Sequence, residues 1–239
     1  MRRFYAPKES FADGAVTLDA DETRHLRDVL RLHAGEEVSV FDGGGGEYRC
    51  TITEIGKTSA ALAVIEETRP ASPESPLEVV VAATVLNGER YDLIVQKAVE
   101  LGVATLIPLI TIRCEAKLKD AERRLTRWRR IAMEATKQTG RARLMQIGEP
   151  AAFGNLLTAV KDENVVLFSE RDGVGFETVA ADKKITALYG PKGGWDDAEL
   201  DLAAKHGVKI VTLGGRILRA ETASIAITAI LQHRFGDLN

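Results

Sequence analysis

The chain has 239 residues, a formal net charge of −3 at pH 7 and 45% hydrophobic residues, enough for a real core in one large domain or two modest ones. No apolar run approaches the roughly 20 residues of a membrane span, and Met1-Arg2-Arg3-Phe4-Tyr5 lacks the apolar stretch of a secretion signal, so a cytoplasmic protein without membrane contact is expected. Cys50 and Cys114 stand far apart and are the only cysteines, which excludes a disulfide framework and a cysteine zinc site and predicts two free thiols.

Residues 1–68 read as a small, mostly β unit. Asp21 is read as the N-cap of a helix over 22–32, which carries Arg24, His25, Arg27 and Arg31 at near-helical spacing. A lone histidine beside arginines is usually structural, so His25 is assigned no chemistry. The arginines, with Arg2 and Arg3, form a basic patch suited to phosphate contacts. Alternating strands are predicted over 36–42 and 47–55, around Gly43-Gly44-Gly45-Gly46, and over 59–65. Arg69-Pro70-Ala71-Ser72-Pro73-Glu74-Ser75-Pro76 holds three of the seven prolines and reads as a semi-rigid linker over 69–76, with a second domain at 77–239.

From residue 77 the pattern alternates: a buried strand over 77–86, a helix over 89–101 ended by Gly102, and a strand over 103–110. A long helix over 119–139 places Ala121, Leu125, Trp128, Ile131 or Ala132, and Ala135 on one face and ends at Gly140. Further strands are predicted at 165–169, with Glu170 and Arg171 at the carboxyl end, and at 185–189 and 208–213. Asp196 with Glu199 forms a capping box, with Trp195 and Leu200 placed as a hydrophobic staple, for a helix that Gly207 ends; a last helix is expected over 224–235. Such alternation calls for an α/β domain with a largely parallel sheet and flanking helices.

Charge is unevenly spread. From Arg113 to Arg143 there are eleven Lys or Arg against four acids, so this segment alone carries +7. A local excess of this size in an acidic chain marks a polyanion contact, although a solvated helix face rich in arginine has the same composition.

Two glycine loops stand out. Gly190-Pro191-Lys192-Gly193-Gly194-Trp195 and the stretch 213–223, Leu-Gly-Gly-Arg-Ile-Leu-Arg-Ala-Glu-Thr-Ala, each follow an apolar run, β-branched before the second, and precede a helix. Loops of this kind in one αβ domain converge on the carboxyl edge of the sheet, and adjacent glycines let backbone approach a ligand. Neither loop supplies the G-x-x-x-x-G-K-[ST] of a Walker site, and the first strand–helix turn reads Asn87-Gly88-Glu89-Arg90 rather than G-x-G-x-x-G. Metal-ligand clusters, nucleophile elbows and histidine triads are absent, so no metal is expected.

Gln96-Lys97-Ala98-Val99-Glu100-Leu101-Gly102-Val103, Arg113, Glu134-Ala135-x-x-Gln138-x-Gly140-Arg141, Gly190-Pro191-x-Gly193-Gly194 and Leu213-Gly214-x-Arg216-Ile217-Leu218-Arg219-x-Glu221-Thr222-Ala223 resemble the bacterial 16S ribosomal RNA (uracil-N3)-methyltransferases of the SPOUT superfamily. The likeness runs from Arg3-Phe4-Tyr5 to Phe235-Gly236-Asp237. It implies a SPOUT-type C-terminal domain with a trefoil knot, a PUA-like N-terminal β-barrel, S-adenosylmethionine as cofactor, a homodimer, and 16S rRNA or the small subunit as partner. The cofactor would lie among Leu167, Phe168, Gly190, Gly193, Gly194, Leu213, Gly214, Leu218, Glu221, Thr222 and Ala223, with Leu213, Leu218 and Ala223 around adenine. RNA would be held by Arg2, Arg3, Arg31, Lys97, Arg113, Lys119, Arg123, Arg129, Arg141 and Arg143. Arg219 or Arg141 would stabilise negative charge on the uracil ring, and Glu221 would act as a base or as an ion-pair partner. Lys192 and Met145 depart from the family pattern, which usually has Glu and often Pro there. The alternatives are an RNA-binding protein with a degenerate pocket, motivated by Lys192, and a nicotinamide-dependent oxidoreductase.

Overall fold

The computed structural model describes residues 1–116, 120–161 and 163–238. They form two compact units, Met1–Glu74 with Glu134–Leu144, and Ser75–Met133 with Met145–Asn239. The first crossing falls in the proline-rich stretch. The segment Glu134–Leu144 packs with the N-terminal unit, which a single cut at 69–76 leaves out. Arg3 explains this: its guanidinium donates to the carbonyls of Thr136, Lys137 and Arg141 while binding both Glu47 carboxylate oxygens at 3.0 Å.

In the N-terminal unit, β1 (Arg3–Tyr5), β2 (Phe11–Ala12), β3 (Ala15–Leu18), β4 (Glu37–Phe41), β5 (Glu47–Ile55) and β6 (Ala60–Thr68) form one sheet in the order β1-β4-β5-β6-β3-β2. Only β1 and β4 run parallel. Alternate residues Val38, Val40, Cys50, Ile52, Ala60 and Leu62 turn inward against Phe4, Leu18 and Leu26. Strands β1 to β3 span two to four residues, too short for alternation to reveal. Helix α1 (Ala20–Arg24) is capped by Asp19, whose carboxylate accepts from the Glu22 N–H at 2.9 Å, not by Asp21. Asp21 lies inside the first turn and pairs with Arg24 at 2.7 Å. The α-helix then widens into a π-helical segment, His25–Val29, and Arg31 takes φ +54, so the helix expected over 22–32 stops early.

The C-terminal unit is built on a parallel sheet. Its elements are β7 (Glu78–Thr84), α2 (Glu89–Glu100), β8 (Thr105–Ile110), α3 (Ala121–Thr139, whose last turns belong to the N-terminal unit), β9 (Gln146–Ile147), β10 (Ala151–Ala152), α4 (Phe153–Ala159), β11 (Val165–Ser169), β12 (Lys184–Tyr189), α5 (Asp197–Lys205), β13 (Lys209–Thr212) and α6 (Ala220–Phe235). The strand order is β10-β8-β7-β12-β11-β13, with β9 on β8, and every pairing is parallel. Strands covered on both faces read as continuous apolar runs, and β7, β11 and β12 are buried over nearly their whole length. Ala82, Leu109, Phe153, Leu157, Leu167, Leu188, Trp195 and Leu200 make one core, which holds both members of the predicted staple.

Helix ends follow local chemistry. Gly102 and Gly140 take positive φ just past α2 and α3, and the Asp196–Glu199 capping box opens α5. Helix α6 begins at Ala220, four residues before the expected start, so Glu221, Thr222 and Ala223 form its first turn and the loop after β13 covers only 213–219. An acid at the second helical position, Glu221, suits a helix N-terminus, in keeping with a start at Ala220 and Arg219 as the N-cap.

Candidate functional site

Neighbours β12, β11 and β13 end at the same edge of the sheet, so the chain segments that follow them are brought together there. They enclose a cavity of about 500 Å³, within the range of small-molecule sites. Phe168, Ser169 and Glu170 come from the end of β11; Tyr189 and 190–195 come from β12 and its loop; 213–218, Ala220, Ala223 and Ile227 come from the loop after β13 and from α6. The two glycine loops, about twenty residues apart in sequence, share this one cleft.

Each wall has a physical cause. The Trp195 indole N–H donates to the Phe168 carbonyl at 2.8 Å, and the ring packs on Phe153 at 5.1 Å, which anchors the glycine loop to the end of β11. A Cβ at Gly190 would lie 2.8 Å from Trp195 Nε1, so only glycine lets the loop pass over the indole. Gly194 takes φ +72 and presses against Glu170, leaving no room for a side chain. Phe168 and Tyr189 stack with ring centroids 5.6 Å apart. Burial pushes the Tyr189 phenol well above its usual range, a shift its bond to Thr228 at 3.0 Å opposes, and the group stays a neutral wall.

The loop is held from outside by charge. Arg113 donates to the Gly193 and Trp195 carbonyls and to the Asp196 carboxylate, all at 3.1 Å. Arg171 reaches the same Trp195 carbonyl at 3.1 Å and Asp197 at 2.6 Å. Glu199, buried, accepts from its own N-cap N–H at 3.1 Å and from the Ile112 N–H at 2.9 Å. The capping box therefore ties the end of β8 to the start of α5.

Of the residues expected at a cofactor, Phe168, Gly190, Gly193, Gly194, Leu213, Gly214, Leu218 and Ala223 line the cavity. Leu167, Glu221 and Thr222 do not. Strand alternation turns Leu167 into the core, fully buried, while Phe168 faces the cavity. Thr222 is exposed on α6, and Glu221 lies 4.0 Å from Arg90 Nε, an ion-pair position rather than a cavity wall. Arg219 is the N-cap of α6 and exposed, directly beside the lining residues Leu218 and Ala220. Arg141 lies in the N-terminal unit, 4% exposed, with its guanidinium bidentate on Glu74 at 3.0 and 2.5 Å. Glu170, Tyr189 and Trp195 also line the cavity, though the sequence places none of them at the cofactor and reads Trp195 only as a helix staple; the position of Glu170 and Tyr189 at strand ends beside Phe168 and Gly190 is the available signal.

The expected RNA-facing cations fall into two groups. Arg3, Lys97 and Arg113 are engaged, by Glu47, by Glu100 at 2.8 Å and by the glycine loop respectively. Arg2, Arg31 and Arg143 are exposed in the N-terminal unit. Arg123 lines, with Arg124, Arg130 and Trp128, a depression of about 600 Å³ between α2 and α3, and exposed Arg129 lies 3.3 Å from Glu149. Lys119 lies outside the described residues. Among those described, no helix is long and apolar enough to cross a membrane.

Comparison with known proteins bears on this geometry. Residues 73–232 match the model of an RNA methyltransferase domain, and residues 18–65 that of an RNA methyltransferase PUA domain. The protein named ribosomal RNA small subunit methyltransferase E from Synechocystis is 33% identical over 95% of this chain and 76% of its own length. Its namesake from Aquifex aeolicus is 30% identical, over 98% of this chain and 100% of its own. The crystal structure of ribosomal RNA small subunit methyltransferase E from Neisseria gonorrhoeae, bound to S-adenosyl methionine, superposes with a TM-score of 0.92 at 32% identity, covering all of both chains.

Proposed function

Since the chain belongs to the RNA methyltransferase family, with a family PUA domain preceding the catalytic one, we propose that it uses S-adenosylmethionine to methylate N3 of a uridine in the RNA of the small ribosomal subunit. The observation that carries this reading is the closure of two glycine loops on one cavity at the sheet edge. The residues fit the donor: apolar walls from Phe168, Leu213, Leu218 and Ile227 suit an adenine, and backbone at Gly190 and Gly194, where no Cβ fits, suits close approach by the ribose and methionine part. Bound there, the donor supplies an electrophilic methyl group on sulfur.

This chain's own residues do the rest. Leu213, Leu218 and Ala223 hold the adenine edge through backbone groups. Arg219, exposed at the rim, stabilises negative charge on the uracil as N3 loses its proton to solvent water and takes the methyl group, the thioether leaving as S-adenosylhomocysteine. Glu221 orients that rim through Arg90 rather than taking the proton. Much of the rate comes from alignment of sulfur, methyl and N3. Arg2, Arg31, Arg123, Arg129 and Arg143 bind phosphates, the chain acts as a cytoplasmic homodimer, and the C-terminal domain carries the trefoil knot of the family it resembles. Lys192 does not argue for a degenerate pocket: its side chain is 62% exposed, 4.0 Å from Glu115, and its charge is solvated.

The test is primer extension. Methylation at N3 blocks base pairing, so reverse transcriptase stops at the modified uridine. Cells lacking the gene should lose one stop in small-subunit RNA and regain it with the wild-type gene. Full read-through after complementation would leave only a binding role.

A further inference from the structure

The cavity has an uneven charge. Among the described residues that line it, the charged ones are Glu170, Lys192 and Arg216. Arg216 is exposed on the loop after β13, and Lys192 faces Glu115, so the single acid of the wall is Glu170. Its carboxylate lies against the Gly194 backbone; a Cβ there would stand 2.3 Å from Glu170 Oε1. Glycine at 194 thus gives this carboxylate its place beside the loop. One cation is near, the Arg171 guanidinium at 3.8 Å. That group spends its short contacts elsewhere, on Asp197 at 2.6 Å, Asp172 at 2.7 Å and the Trp195 carbonyl. The negative charge of Glu170 is therefore left half-exposed, 34% for the side chain, and open to the cavity.

We infer that Glu170 is a specificity-determining residue that receives the cationic methionyl end of the methyl donor. The inference rests on the donor reading above. At its methionyl end S-adenosylmethionine carries a sulfonium, an ammonium and a carboxylate, a net positive charge, whereas its nucleoside is neutral. A carboxylate on an otherwise apolar and cationic wall favours the charged end over water only where it is poorly matched by protein cations, which is the state of Glu170. The apolar side chains Leu213, Leu218 and Ile227, from the loop after β13 and from α6, receive the neutral nucleoside. Charge thus fixes which way round the donor lies, and so where its methyl group is presented.

Calorimetric titration of the full chain separates the two ends. The probes are S-adenosylmethionine and 5′-methylthioadenosine, which keeps the nucleoside and loses the sulfonium charge together with the whole amino-acid end. E170Q removes charge at nearly constant shape. It should weaken S-adenosylmethionine about tenfold and leave 5′-methylthioadenosine within about twofold. The wild-type affinity for S-adenosylmethionine should fall with added salt more steeply than that of E170Q. Unchanged S-adenosylmethionine affinity in E170Q overturns the assignment, and so does an equal loss for both ligands, which would report a disturbed loop. If the wild-type chain binds neither ligand, the donor reading itself falls.

Discussion

Arginine is abundant here, and position decides what each one does. Arg219 stands beside the cavity, whereas Arg129 lies on α3, exposed, with Glu149 as its partner. Arg219→Ala should cut single-turnover methyl transfer roughly 10²- to 10³-fold, as loss of a transition-state donor does, with S-adenosylhomocysteine affinity kept. Arg129→Ala should leave the rate at saturating RNA unchanged while lowering RNA affinity and the salt slope by about 1. Equal effects of both on the saturated rate would overturn this division. Arg3 has a third role. Its bidentate partner Glu47 is buried and also accepts from Ser39, so Arg3→Ala leaves an acid stranded. Urea unfolding should show a loss of about 3 kcal/mol, the usual consequence of breaking a buried pair; an unchanged midpoint would contradict it. Arg3 and Arg141 also show what residue type conceals. Both read as RNA-facing cations, yet each meets a carboxylate 44 or 67 positions away, which no local pattern announces.

Signals confined to a few residues were the readable ones. The capping box at Asp196 and Glu199, the stops at Gly102 and Gly140, and the apolar runs of β7, β11 and β12 all act within one or two turns of chain, and each is present. The misreadings share one cause. Asp19 rather than Asp21 caps α1 because β3 ends at Leu18, and Leu167 rather than Phe168 faces the core because of the register with β12 and β13. Both depend on pairings made far along the chain. The loop after β12 shows how elements cooperate, since Arg113 from the end of β8 binds two of its carbonyls and the N-cap of α5. Arg113→Ala should therefore lower affinity for S-adenosylhomocysteine about tenfold, in line with loss of hydrogen bonds from a charged group, and leave RNA affinity nearly unchanged. A pure loss of RNA affinity would instead restore Arg113 to the phosphate-binding set.

Two units with separate cores make up the molecule, and each carries one cysteine. Burial pushes the Cys50 thiol up to about 11, so at pH 8 only about one molecule in a thousand is thiolate even before access is considered. Alkylation of the native protein should label half-buried Cys114 first and Cys50 only as the N-terminal unit opens. Rapid labelling of Cys50 would show that this core is loose. The α/β class was legible because alternation of strands and helices demands a parallel sheet. The return of Glu134–Leu144 to the N-terminal unit was not, because it depends on backbone carbonyls that any sequence supplies. What the whole fold accomplishes is to bring 190–195 and 213–218 to one cleft. A crystal structure of the chain grown with saturating S-adenosylmethionine examines that most directly. Density for the donor should lie between those two loops, its adenine beside Leu213 and Leu218 and its methionyl end toward Glu170. Donor density at any other place on the molecule would contradict the account.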